Sequence, residues 1–177
     1  MITQNELETL PAFRTERSEI MANLISAHCV ADYFLLQTDP NAGDAITNLK
    51  LQKLCYYGQA WHVAHTGRPL FSEKIKAWAH GPVIPDLWHR FKDRRWLSLD
   101  VSDVKTDPYN DLHVKDQAFL DGVWRSYSPL SGKQLEELTH SEAPWKIAYG
   151  DRPLGQACNT EITLDSMREY YRSQLPA

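Results

Sequence analysis

The stretch "NLKLQKLCYYGQAWHVAHTGRPLF", Asn48 to Phe71, constrains the fold more than any other part of the chain. Set at roughly 100° per residue, it puts apolar or small side chains on almost every side of a helix axis. Only Gln52 and Gln59, two turns apart, form a clean polar stripe. A helix with so little polar face is buried on most of its sides. Thr47 or Asn48 can cap its start, and Gly67 is suited to stop it. The spacing therefore predicts a central helix with the other elements packed around it, and Gly58 would let one neighbour approach closely. Lys50 and Lys53 lie inside this apolar helix. Each needs a carboxylate, a carbonyl or an aromatic face to be tolerated there.

The remaining elements are shorter. "SEIMANLISAHCVADYFLLQ" has helical spacing from Ser18 as N-cap, and "TDPNAGD" ends it with Pro and Gly. Between Lys74 and His80, Ile75, Ala77 and Ala79 alternate with Lys76, Trp78 and His80, which predicts a short strand or extended arm. Gly81-Pro82 reads as a turn, and Pro85 opens a helix running to about Lys92. Residues 98–111 are polar and read as a loop with at most a short strand. Helical spacing resumes through Val114, Phe119, Val123 and Tyr127. A short helix starts at Ser131 or Gly132 and runs to about His140, where Pro144 bars a simple continuation. The last helix begins at Thr163 or Asp165. The expectation is a mainly α chain: a single compact helical domain, residues 19–177, around a central buried helix with at most a small β element. A polar extension, residues 1–18, precedes it.

Composition narrows the function classes. A length of 177 residues suits one domain with a real core. The net charge of −4 gives no electrostatic footprint for nucleic acid. Cys29, Cys55 and Cys158 are odd in number and lack C-x-x-C spacing, which points to a reducing compartment. No apolar leader and no membrane-length apolar run is present, so the expected location is cytoplasmic.

Few residues suggest chemistry. His62 and His65 lie three apart, but H-E-x-x-H is absent, and ordinary half-buried histidines are the better reading. No metal or cofactor is expected. His140 and Glu142 form a candidate acid–base pair. The plainer reading has both satisfying backbone groups where a helix breaks before Pro144-Trp145. "WHRFKDRRW", Trp88 to Trp96, interleaves basic and aromatic residues as single-strand binders do. The acidic balance elsewhere favours a solvated helix end with its aromatics turned inward. The six Trp and eight Tyr are compatible with a surface that buries a partner.

Three blocks in order, "TNLKLQKLCYYGQAWHVAHTGRPLF", "IKAWAHGPVIPDLWHRF" and "LTHSEAPW", closely resemble the Panacea domain of SocA-like antitoxins, a family with many phage-associated members. The resemblance spans about Val30 to Tyr171. The L-x-K-L-x-Y-Y core falls on Leu51, Lys53, Leu54, Tyr56 and Tyr57, with Trp61 following. The A-W-x-x-G-P-V block falls on Ala77, Trp78, Gly81, Pro82 and Val83. The T-H-x-E-x-P-W block falls on Thr139, His140, Glu142, Pro144 and Trp145. Cys55 and Gly58 stand where the family often has an aliphatic residue and alanine. The resemblance implies an antitoxin that neutralises a cognate protein toxin by direct contact, without catalysis, its motifs serving as scaffold. A protease adaptor that delivers the bound toxin is the alternative, with a protease as second partner. An enzyme using His140 and Glu142 ranks below both, and DNA autoregulation ranks low. Glu142 is the expected partner of Lys53, tying "THSEAPW" to the central helix.

Overall fold

The computed structural model describes residues 24–39 and 46–176. Among the described residues, eight α-helices and two small antiparallel pairs surround one hydrophobic core, and the chain is mainly α. Helix α1 spans Ala27–Leu36. Ser26 caps it, accepting from His28 N and donating to Glu73 Oε1 at 2.7 Å. The sequence reading began this helix at Ser18, yet residues 24–26 are not helical. Ile25 instead pairs with Phe71, which holds this stretch extended. Ser18, the extension 1–18 and most of "TDPNAGD" lie outside the described residues.

Helix α2, Asn48–Thr66, is the central helix that the sequence predicts. It packs against α1 and, further along the chain, against the helices Val114–Tyr127, Gly132–Ser141 and Leu164–Arg172. Thr47 accepts from Lys50 N at its start. Gly67 closes it in the left-handed region, φ 73, donating to Val63 O. The two glutamines do not face solvent. Each is 1% exposed. Gln59 accepts from Leu70 N and Phe71 N and donates to Phe71 O, while Gln52 accepts from Ile84 N. They satisfy backbone groups beside the Ile25–Phe71 bridge and at the residue that caps the helix starting at Pro85. A Cβ on Gly58 would come within 3.3 Å of Leu120 Cδ2, so the expected close approach is made by the Val114–Tyr127 helix.

Gly67→Ala is expected to lower stability by about 1 kcal/mol, the strain of a left-handed L-residue. Nothing lies within 4 Å of the added methyl, so no clash adds to it. Thermal denaturation checks this as a fall of about 2–4 °C.

Strand β1, Ile46–Thr47, pairs antiparallel with β4, Ser98–Leu99. Strands β2, Lys76–Trp78, and β3, Gly81–Val83, form a hairpin with Ala77 opposite Pro82. The turn is therefore Ala79-His80, and Gly81-Pro82 belongs to the strand. Pro82 fits because Ala77 points its N–H outward to Thr160 O at 2.9 Å, so no ladder bond is lost. Helix α3 is Pro85–Phe91. The polar stretch read as loop contains a helical turn, α4, Pro108–Asp111. Buried Asp32 fixes the approach to it, accepting from Lys105 N, Thr106 N, Thr106 Oγ1 and the Arg90 guanidinium. Helices α5, Val114–Tyr127, α6, Gly132–Ser141, α7, Ala143–Tyr149, and α8, Leu164–Arg172, complete the chain. Ser131 and Gln134 form a capping box on α6, and Thr163 caps α8. Among the described residues no helix is long and apolar enough to cross a membrane.

Candidate functional site

The three sequence blocks meet in one buried knot where α2, the β2–β3 hairpin and the α6–α7 corner come together. Lys53 is 0% exposed. Its ammonium donates to His80 O at 2.5 Å and Pro82 O at 3.1 Å, the two carbonyls flanking Gly81. The expected pairing with Glu142 is not made; backbone carbonyls of the hairpin take its place. Gly81 has φ 93, and a Cβ there would lie 2.8 Å from Lys53 Cε and 2.9 Å from Thr139 Oγ1. Only glycine lets the hairpin close over the lysine. Thr139 in turn donates to Glu136 O at 2.8 Å. Burial pulls the Lys53 ammonium down to about 7, with the Glu136 charge acting the other way.

Glu142 sits between α6 and α7, 6% exposed. Its Oε2 accepts from Tyr171 OH at 2.6 Å and Tyr57 OH at 3.3 Å. The Tyr56 and Tyr171 hydroxyls are 3.2 Å apart. Burial pushes the carboxyl up to about 7, although both tyrosine bonds favour its charged form. The side chain caps neither helix, so the plainer sequence reading of Glu142 also fails. The carboxylate ties α2 to α8 instead. His140 does not join it. Its ring stacks on Trp145 with centroids 3.9 Å apart, and burial lowers its pKa. Among the described residues its Nε2 has no hydrogen-bond partner.

Trp145 stacks further on Tyr149 and donates from Nε1 to Trp78 O at 3.1 Å, stitching α7 to the hairpin. Pro144 starts α7 in its first turn, where a missing N–H is harmless. Trp61 borders the knot, its ring 4.9 Å from that of Tyr171, and donates to Tyr127 OH at 2.7 Å, while Tyr127 stacks on Tyr57 at 3.9 Å. The sequence reading placed Tyr127 on a helix without a further role, and it missed Glu136 and the bond from Tyr171 to Glu142. Tyr170 and Tyr171 at the apolar face of a strongly amphipathic helix were the available signal.

Chemically, the carboxylate is held by two phenols, the imidazole by a ring stack and the ammonium by two carbonyls. That arrangement fixes geometry; it does not place an acid beside a base. His62 gives Nδ1 to Arg68 O at 2.8 Å and stands 3.7 Å from Asp116, and His65 is exposed.

An open groove of about 1020 Å³ runs along the outer side of the knot. Trp78, Trp88, Leu49 and Val83 form its apolar lining. Glu136, Lys133 and Arg95 supply its charges, and His80 and Cys158 are its other titratable groups. Glu136 Oε1 accepts from His80 Nδ1 at 3.2 Å and Lys133 Nζ at 3.3 Å. Burial disfavours its charge, yet these bonds win and hold its carboxyl below the usual range. "WHRFKDRRW" is therefore not turned inward as a whole. Phe91 is buried, Trp88 is half-buried on the groove wall, and Trp96 is 77% exposed beyond Arg95, whose φ is 51.

The family described as antitoxin SocA-like, Panacea domain, matches residues 51–146. The curated Antitoxin SocA of Caulobacter vibrioides (strain NA1000 / CB15N) is 31% identical over 111 residues, 58% of this chain. The chain thus spans 59% of that relative's length. No solved structure matches it. The chain belongs to the SocA-like antitoxin family, Panacea domain.

Proposed function

We propose that this family member is the antitoxin of a toxin–antitoxin pair, neutralising a cognate protein toxin by direct protein–protein contact. Family membership is the observation that carries the reading. The geometry supports it: Lys53, Tyr56, Tyr57, Thr139, Glu142, Pro144 and Trp145 are engaged inside the fold or at its inner corner. They act as scaffold, and partner choice falls to the surface around them. The antitoxin domain of this reading is 19–177, with residues 1–18 as its extension. The reading calls for no turnover, and it is supported by the separate engagement of His140, stacked on Trp145, and Glu142, bonded to Tyr171.

The test is co-expression in the native cell. A tagged chain should retain one small protein in near-equimolar amount, and that protein alone should arrest growth. Co-expression should restore growth while the toxin's half-life stays constant. A half-life shortened several-fold only when a protease is also present would replace neutralisation by delivery. Retention of no protein that is toxic alone would sink the antitoxin reading.

A further inference from the structure

We propose that the groove beside the β2–β3 hairpin is the docking site for an apolar segment of the partner protein that carries acidic side chains. This rests on the antitoxin reading for the existence of a partner, and adds where and by what chemistry the partner is held. Trp78 and Trp88 meet edge to face in the groove, with centroids 5.3 Å apart. Tryptophan and arginine are the residues favoured where one protein buries another.

The polar groups around these rings favour an anion. Asn48, the first residue of α2, and Leu49 both line the groove. Gly132, the first residue of α6, abuts them: a Cβ there would lie 3.3 Å from Lys50 N. Helices of 19 and 10 residues thus bring their N-termini together, each with the positive end of its dipole. Lys133 and Arg95 are the groove's cations, and with Lys133 paired to Glu136 at 3.3 Å they leave one positive charge in excess. Glu136 is the one carboxylate in the described lining, and His80 and Lys133 already hold it.

Asn48 is 5% exposed, and its Oδ1 accepts from Gln52 Nε2 at 3.3 Å. Its amide lies in the groove lining, where a partner's carboxylate oxygen would accept from Nδ2. Nucleic acid is held by many phosphate contacts, and the described lining has only Lys133 and Arg95 as cations, enough for one or two carboxylates on an apolar protein segment.

Asn48→Asp and Trp88→Ala test the proposal in the full chain. An aspartate at the start of a helix favours the dipole and keeps the oxygen that Gln52 needs, so the fold should hold. It should nevertheless repel the partner's carboxylates. The probe is the protein retained by the tagged wild-type chain in its native cell. Both variants should lower its retention at least tenfold, Asn48→Asp with an unchanged melting temperature and Trp88→Ala with the chain still folded. Carbodiimide coupling should join Lys133 to an Asp or Glu in an apolar stretch of the partner. Equal retention by wild type and both variants would overturn the docking site and leave the antitoxin reading standing. Recovery of nucleic acid in place of a protein would overturn the acidic-segment assignment. Retention of no protein by the wild type would overturn both.

Discussion

Gly81→Ala is expected to lower stability by roughly 4 kcal/mol and to shift thermal unfolding down by about 10 °C. Two effects add. A φ of 93 is one that L-residues rarely adopt, and holding a side chain there costs about 1–3 kcal/mol. The new methyl would also sit 2.8 Å from Lys53 Cε, 2.9 Å from Lys53 Nζ and 2.9 Å from Thr139 Oγ1. Neither neighbour is loose. The lysine is tied to two carbonyls on either side of the glycine, and the threonine to Glu136 O. Overpacking of this kind costs about 1–3 kcal/mol. A total near 4 is a large share of the stability of an ordinary domain. Gly67→Ala isolates the backbone part, since it has a similar φ and open space around it. If chemical denaturation gave the two variants equal losses, the knot would be slack and the packing argument wrong. If Gly81→Ala stayed folded but lost its partner, Gly81 would belong to the contact surface and not to the scaffold.

The central helix was legible because a 3.6-residue period with apolar groups all round has few other solutions. Its ends were legible too, because Thr47 and Gly67 are residue types with a local mechanism. Lys53 shows where such reading stops. Sequence establishes that a buried ammonium needs acceptors; it does not establish the rotation of α2 relative to a hairpin 27 residues further on. Glu142 was a reasonable charge partner by type, but the α6–α7 corner turns it toward Tyr57 and Tyr171. The Gly81-Pro82 dipeptide misled for a related reason. Gly-Pro is a turn signal in isolation, whereas here the 160–162 segment occupies the outer edge of β2 and lets Pro82 sit in the strand. Helix α4 has no strong periodic signal; the Asp32 carboxylate shapes the chain that leads into it. The groove was illegible altogether, since it gathers residues from α2, the hairpin, α3, α6 and the 155–159 loop.

Glu142→Gln and Lys53→Met should reshape the pH dependence of stability in opposite directions. Glu142 keeps its proton in the fold up to about pH 7, whereas the unfolded chain releases it near the ordinary carboxyl value of 4.5. Between those values the folded state binds more protons, so stability falls as pH rises. The glutamine side chain of the variant would not titrate, and its amide oxygen can still accept from the tyrosines. The melting temperature of Glu142→Gln should therefore climb relative to wild type from pH 5 to pH 7.5, then run parallel. For Lys53 the unfolded state is the better proton binder. Below about pH 7 the ammonium is charged in both states and its burial is fully unfavourable; between pH 7 and 10.5 only the unfolded chain stays charged. Wild type should gain on Lys53→Met as pH rises through that window. One pKa unit corresponds to about 1.4 kcal/mol, so each relative shift should reach several degrees. Melting curves of the three proteins from pH 5 to pH 10 decide it. Two variants parallel to wild type throughout would mean that water reaches both groups, and the knot would not be the dry junction of the three blocks. A crossing on the acid side for Glu142→Gln and on the alkaline side for Lys53→Met would locate both charges inside it.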